Sequence, residues 1–332
     1  MSKTAVVVPN WNGADDLGKC LDSLLDQSHK AHIIVVDNGS TDGSLDVLSK
    51  YSGVELIQRE KNYGYTGGVN PGFERAIELG LDYVAPFNND AVADKDWLKH
   101  LVKALDDSPA TGVVTSKILN QDGSEIDSTG DYYTIWGLPY PRGRGEKDIN
   151  KYDGETEIFA ASGGASLYRV KMLEEIGLLD QAFFAYYEDV DLSFRAQLAG
   201  WKVLFEPKAV VYHQIGATSG KIKGFATYQT VKNLPWLFWK NIPGTYLWRV
   251  FPRLFVVYNS FYLRAITRGQ FVPATKGMVV SIIRFPIILA QRYKIQHNRK
   301  VPAKYIWDTM VHDLPPNAKA LRKLFRKPVR SS

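Results

Sequence analysis

The chain has 332 residues, 45% hydrophobic and 23% charged, which suits a folded protein with one large core or two modest ones. Its single cysteine, Cys20, excludes an internal disulfide framework and any cysteine-rich zinc site. The net charge of +6 hides an asymmetry: residues 1–220 carry 20 Lys and Arg against 33 Asp and Glu, but residues 221–332 carry 21 against 2, which implies an anionic partner, nucleic acid or membrane.

Met1-Ser2-Lys3-Thr4 runs directly into an apolar strand without the layout of a signal peptide, so a cytoplasmic protein is expected. Short apolar runs at 5–8, 33–36, 54–57, 83–87 and 112–118 read as strands. Between the first two, Leu17, Cys20, Leu21, Leu24 and Leu25 recur at helical spacing behind Asp15-Asp16. Further helices fit 42–50, 69–79 and 96–106. This alternation predicts an α/β class with a mainly parallel, buried sheet flanked by helices. Ligands of such sheets bind beyond the carboxyl ends of the strands.

From 120 to 153 the chain is rich in Gly, Tyr and Pro; Gln121-Asp122-Gly123 suits a hairpin turn and 132–151 a long loop. A helix fits 188–199, with Val190, Phe194 and Leu198 on one face and Gly200 as its stop. Strands follow at 202–205 and 209–212. After residue 220 the character changes. Aromatics such as Trp236, Trp239, Trp248 and Phe255 interleave with Lys240, Arg249 and Arg253. No apolar stretch there approaches the ~20 residues that cross a bilayer. The longest, 278–290, is interrupted by Arg284 and Pro286. A C-terminal basic, aromatic-rich helical extension, 221–332, lying in the headgroup layer of an anionic membrane is expected.

The strand ends are unusually polar. Pro9-Asn10-Trp11-Asn12-Gly13 follows the first, Asp37-Asn38-Gly39-Ser40-Thr41-Asp42-Gly43 the second, the run from Asn62 to Asn70 the third and Asn88-Asn89-Asp90 the fourth. Any one suits a turn. Four in succession along one sheet edge describe a polar pocket. Together with Gly163-Gly164-Ala165 and Tyr187-Glu188-Asp189-Val190-Asp191-Leu192-Ser193-Phe194-Arg195, these runs resemble glycosyltransferase family 2 over about residues 4–220. Within it the pattern is most similar to bacterial rhamnosyltransferases and galactofuranosyltransferases of surface polysaccharide synthesis.

The resemblance implies a GT-A fold, with 1–220 as the nucleotide-sugar-binding catalytic domain, and it distributes roles. Pro9, Asn10, Asn12, Asp37, Asn62, Thr66, Gly67, Gly68 and Asn89 would hold the nucleotide sugar. A carboxylate at Asp37 suits the imino proton of a uracil or thymine ring, and Gly67-Gly68 would let backbone approach the diphosphate. Asn88-Asn89-Asp90 stands where the family carries an Asp-x-Asp metal motif, so Asp90, with His213 as second ligand, would hold a divalent cation, Mg or Mn. Asp189, at a helix start, would be the base that deprotonates the acceptor hydroxyl. Glu188, Asp191, Gly164 and Arg195 would shape the acceptor site, Arg195 pairing with Asp191 at i,i+4.

Other classes fit less well. A sugar nucleotidyltransferase needs a Gly- and base-rich loop after strand one, where this chain has Asn and Trp. A dinucleotide-dependent oxidoreductase needs Gly-x-Gly-x-x-Gly there. A nucleic-acid-binding protein leaves the acidic two-thirds unexplained, so no nucleic-acid partner is expected. The expectation is an inverting transferase using a dTDP- or UDP-sugar. The resemblance favours L-rhamnose, moved from dTDP-L-rhamnose to a polyprenyl-diphosphate-linked or growing glycan acceptor at the inner face of the plasma membrane.

Overall fold

β-Branched runs set the frame of the structure, a computed structural model that describes residues 3–147, 149–214, 222–316, 318 and 322. The elements are β1 (Thr4–Asn10), α1 (Ala14–Leu25), β2 (His32–Asp37), α2 (Ser44–Leu48), β3 (Val54–Gln58), α3 (Gly64–Glu78), β4 (Tyr83–Pro86), β5 (Ala91–Ala93), α4 (Trp97–Asp107) and β6 (Thr111–Asn120). Then come β7 (Ile126–Ser128), β8 (Asp131–Tyr133), β9 (Pro139–Pro141), β10 (Ser166–Arg169), α5 (Val170–Ile176), α6 (Glu188–Leu198) and β11 (Lys202–His213). The last helices are α7 (Phe225–Asn241), α8 (Gly244–Thr267), α9 (Phe271–Ile283), α10 (Phe285–His297) and α11 (Ala303–Thr309).

The main sheet runs β3-β2-β1-β4-β10-β6-β11-β5, with β7 on β6. β1 pairs in parallel with β2 and β4, β2 with β3, and β6 with β11. β10 is antiparallel to both β4 and β6, so the parallel strands share one carboxyl edge. Side chains alternate along a strand, and here both faces are buried. Val6, Val8, Ile33 and Val35 meet Leu17, Leu21, Leu98 and Leu101 of α1 and α4. Ala5, Val7, Ile34 and Val36 meet Phe73, Met172, Leu192 and Ala196 of α3, α5 and α6.

Three differences from the sequence expectation matter for the site. The segment 132–151 is not a long loop: β8 and β9 pair as a hairpin, and Arg142 behind it is 1% exposed, held by Thr129 and Glu155 among the rings of Tyr132, Tyr152 and Phe205. The runs at 202–205 and 209–212 are one strand, β11, whose register against β6 shifts between Glu206 and Val210 where Pro207 has no N–H to donate. The third difference lies in the C-terminal helices. Trp236 is buried, and α7, α8 and α10 build a core with Phe159, Val190 and Phe194. The expected boundary at 220 lies outside the described residues.

Candidate active site

Polar residues at the carboxyl ends of β1, β2 and β4 join into one network. Asn10 is buried; its Nδ2 donates to Asp37 Oδ1 (3.1 Å) and Ser40 Oγ (3.2 Å), and its Oδ1 accepts from Asn89 Nδ2 (2.8 Å). The Ser40 amide donates to Asp37 Oδ2 (3.1 Å). Asp37 is thereby sealed off, 1% exposed, and it is Asn38 that lines the cleft with Pro9, Asn10, Trp11 and Asn62. Asn38 Nδ2 in turn donates to Asn62 Oδ1 (3.1 Å) and Gly64 O (2.8 Å). The Asp37 carboxylate thus holds Asn10 and the Ser40 amide at the floor of the cleft, with Asn38 beside it on the lining. Asn12 also stays outside the cleft lining, accepting from the Thr41 amide (2.7 Å) and donating its own to Ser40 Oγ (2.9 Å).

α3 starts at Gly64 rather than near Val69, which takes Thr66, Gly67 and Gly68 into its buried first turns. None of the three lines the cleft. A Cβ on Gly68 would come within 2.9 Å of Pro9 Cβ, so this glycine lets α3 pack closely onto β1. The helix start itself, at Gly64 and Tyr65, does face the cleft, and Tyr65 Oη donates to Gly163 O (2.5 Å).

The cleft has a volume of about 720 Å³ and an acidic wall. Asp189, second residue of α6 after the Tyr187 cap, accepts from the Gly163 amide through Oδ2 (2.8 Å) and from the Val190 amide through Oδ1 (2.8 Å). Burial raises its carboxyl above the usual range while those amides oppose the rise. Glu188 is pushed well up by burial and then by the charge of Asp189, and its Oε2 has no hydrogen-bond partner. Asp131 of β8 is raised by burial first and Asp189 second. Three carboxyl groups buried beside one another on one cleft wall resist full ionisation. The wall therefore combines proton acceptors with groups that retain protons.

Gly164 lines the cleft beside Asn88. Asp191 and Arg195 do not. Asp191 is fully buried and accepts from Arg195 Nε (2.9 Å), Lys240 Nζ (3.0 Å) and Asn241 Nδ2 (2.8 Å), while Lys240 also reaches Asp180 (2.7 Å). These groups tie α6 to α7. Removing one partner from such a buried pair typically costs about 3–5 kcal/mol.

Across the cleft, β4 and β11 bring Asp90 and His213 together. His213 Nε2 lies 3.2 Å from Asp90 Oδ1, and its Nδ1 lies 2.9 Å from Asp127 Oδ2. Burial disfavours the imidazolium, but the hydrogen bonds it donates to Asp127 and Asp90 outweigh that and push His213 up to about 9. Among the described residues no three His, Cys, Asp or Glu side chains converge as a closed metal cage. With its proton displaced by the ion, His213 backed by Asp127 could join Asp90 in holding a divalent cation that takes its remaining ligands from phosphate oxygens and water. The sequence reading missed Asn38, Asp127, Asp131 and Arg144, all of which line the cleft. For the last three, the available signal was charged residues within the Gly- and Tyr-rich stretch.

The model of the family described as "Glycosyl transferase family 2" matches residues 5–177. The chain is 28% identical over 237 residues to the N-acetylglucosaminyl-diphospho-decaprenol L-rhamnosyltransferase of Mycobacterium tuberculosis, covering 65% of this chain and 77% of that protein. It is 25% identical over 300 residues to the dTDP-rhamnosyl transferase RfbF of Shigella flexneri, covering 89% of this chain and 91% of that one. Among solved structures, residues 1–349 of S. aureus TarS align with a TM-score of 0.55 at 19% identity, over 89% of this chain and 88% of that one. The mannosyltransferase PcManGT of Pyrobaculum calidifontis, solved with GDP-Man and Mn²⁺, aligns at 0.55 and 15% identity, over 92% and 88%. The fold is the GT-A α/β fold.

Proposed function

We propose, on the premise that this chain belongs to glycosyl transferase family 2, that it is an inverting glycosyltransferase moving L-rhamnose from a dTDP-linked donor to a polyprenyl-diphosphate-linked or growing glycan acceptor. The chain is a glycosyltransferase; the donor and acceptor are our reading, supported by the two rhamnosyltransferase relatives. The single observation that carries the chemistry is Asp189, fixed by two backbone amides on the cleft wall and raised by burial toward the range of a useful base. In this reading Asp189 takes the proton from the acceptor hydroxyl as that oxygen attacks the anomeric carbon, and the bond to the nucleoside diphosphate breaks on the opposite face. Glu188 and Asp131 meet sugar hydroxyls. Pro9, Asn10, Asn38 and Asn62, with the start of α3, hold the nucleotide. A divalent cation on Asp90 and His213 would neutralise the charge gathering on the departing diphosphate.

A panel of nucleotide sugars, read by release of nucleoside diphosphate, tests the donor. Turnover should be greatest with dTDP-rhamnose. Preference for a UDP-hexose would keep the enzyme class and replace the sugar, as TarS bound to UDP allows. Equal affinity for GDP and dTDP would refute the pyrimidine pocket.

The same reading places the enzyme peripherally on the inner face of the plasma membrane. No single described helix is long and apolar enough to cross a bilayer. Yet α8, α9 and α10 expose Trp248 (78%), Ile283 (70%) and Tyr293 (72%), together with Phe255, Leu263 and Ile282, among exposed Arg249, Arg264, Arg268, Lys276 and Lys294. Basic residues near an anionic surface contribute up to about 1 kcal/mol each and are screened by salt, whereas inserted apolar side chains are not. The protein should sediment with anionic vesicles at low salt, bind neutral ones weakly and be only partly released at high salt. Ile282→Ser with Ile283→Ser should remove the salt-resistant fraction. Vesicle binding unchanged by these substitutions, or binding to RNA instead of vesicles, would overturn the membrane reading.

A further inference from the structure

The segment that leads into α6 adopts a backbone its residues disfavour. Phe184, Tyr186 and Tyr187 all have positive φ (65°, 70° and 71°), a region that non-glycine residues enter only when their surroundings enforce it. Asp189 follows two residues later.

The enforcing groups come from α7, some fifty residues further along the chain. Asn233 is fully buried, and its Nδ2 donates to Phe183 O (3.0 Å), Ala185 O (2.8 Å) and Tyr186 O (2.9 Å). Lys232, also buried, donates through Nζ to Ala182 O (3.2 Å) and Phe183 O (3.1 Å). Carbonyl oxygens that converge in this way repel one another unless a donor sits among them. A positive-φ backbone produces the convergence, and the Asn233 amide and Lys232 ammonium satisfy it. From the other side the segment leans on α3: the Thr66 amide donates to Phe184 O (3.2 Å), and a Cβ on Gly64 would come within 2.3 Å of that oxygen. The turn is therefore held between the helix that opens on the cleft and a helix of the basic C-terminal region.

We propose that Asn233, with Lys232 beside it, is a positioning residue that locks residues 183–187 and so sets where the Asp189 carboxylate stands in the cleft. This rests on Asp189 being the base. It assigns the C-terminal region a share in catalysis separate from any membrane contact.

The test compares Asn233→Ala, Lys232→Met and Lys232→Arg with the unmodified full chain. Amide hydrogen exchange across 183–189 should rise in the first two and stay near native in Lys232→Arg, which keeps a donor. Displacing a catalytic group by about an ångström costs on the order of 10²-fold, so kcat should fall on that scale in Asn233→Ala and less in Lys232→Met. The dTDP Kd, set elsewhere in the cleft, should change by less than about twofold. Should Asn233→Ala fail to fold, the Met and Arg variants at 232 carry the comparison alone. Unchanged exchange across 183–189 overturns the clamp, whichever residue is the base. Raised exchange with undiminished kcat overturns its catalytic consequence. An active Asp189→Asn enzyme alongside a slowed Asn233→Ala would instead move the base to Glu188, which directly follows the locked segment, leaving the clamp standing.

Discussion

Asp189→Asn is expected to lower kcat by roughly 10²–10⁴-fold, the contribution of a positioned general base, while leaving dTDP affinity nearly unchanged. The carboxylate has one amide donor on each oxygen, so its orientation is fixed before any acceptor arrives. An Asn side chain keeps one acceptor oxygen and turns its NH₂ against the other backbone N–H, losing both the proton acceptor and one anchoring bond. Nucleotide affinity should hold because Asn10, Asn38 and Asn62 stand at the end of β1, just after β2 and on the approach to α3, remote in the chain from α6. Glu188, with one oxygen lacking a hydrogen-bond partner, is the nearest substitute base. Single-turnover measurements against pH separate the two: a residual activity in Asp189→Asn that rises at higher pH would identify Glu188 as a weak replacement. Retention of more than about a tenth of the native kcat would remove Asp189 from the role.

Loss of Asp90 should be the other severe change. Asp90→Ala is expected to abolish the part of dTDP binding that depends on Mg²⁺ or Mn²⁺, which calorimetry with and without metal reads independently of turnover. His213→Ala should leave a metal requirement but raise the concentration needed. Asp127→Asn should follow His213→Ala at smaller amplitude, because a carboxylate behind a metal-binding imidazole is typically worth 10–100-fold in metal affinity. The dependence of all three on one ion follows from geometry: Asp90 follows β4, His213 ends β11 and Asp127 lies on β7, yet the imidazole touches both carboxylates. Full activity in excess chelator would show that this site, with Asn88 where the family's motif has an acid, works without a metal.

The parts legible in the sequence were those with a strong local period. The Val-rich β1 and the β-branched β2 were readable because both faces are buried, and α1 because Leu17, Cys20, Leu21 and Leu24 share one stripe. β10 was not, since Ser166–Arg169 has neither length nor alternation and gains its place only by filling the gap between β4 and β6. The site divided in the same way. Motif spacing pointed to Asp189, Asp90 and His213. It pointed to Asp37 for the nucleotide base and passed over Asn38, whose place on the cleft lining depends on how the loop after β2 packs against Asn62 and Gly64. Asp127 and Asp131 sit on short strands whose placement depends on long-range pairing. Lys240 was read as part of a basic extension facing an anionic membrane, whereas its burial and that of Lys232 follow from carbonyls and carboxylates on α6 and the segment before it.

The tie between Asp191 and Lys240 also bears on how the chain is made. Synthesis runs from the amino end, so α6 leaves the ribosome some fifty residues before its charge partner on α7. During that interval Asp191 has Arg195 alone for a counter-charge, and Val190, Phe194 and Leu198 lack the Leu234 and Leu237 side chains they pack with in the finished core. The nascent catalytic half therefore shows water an apolar helix face with a carboxylate in its midst, the kind of surface that chaperones shield. A ribosome that stalls before codon 240 would release a fragment lacking part of the helix that closes its core.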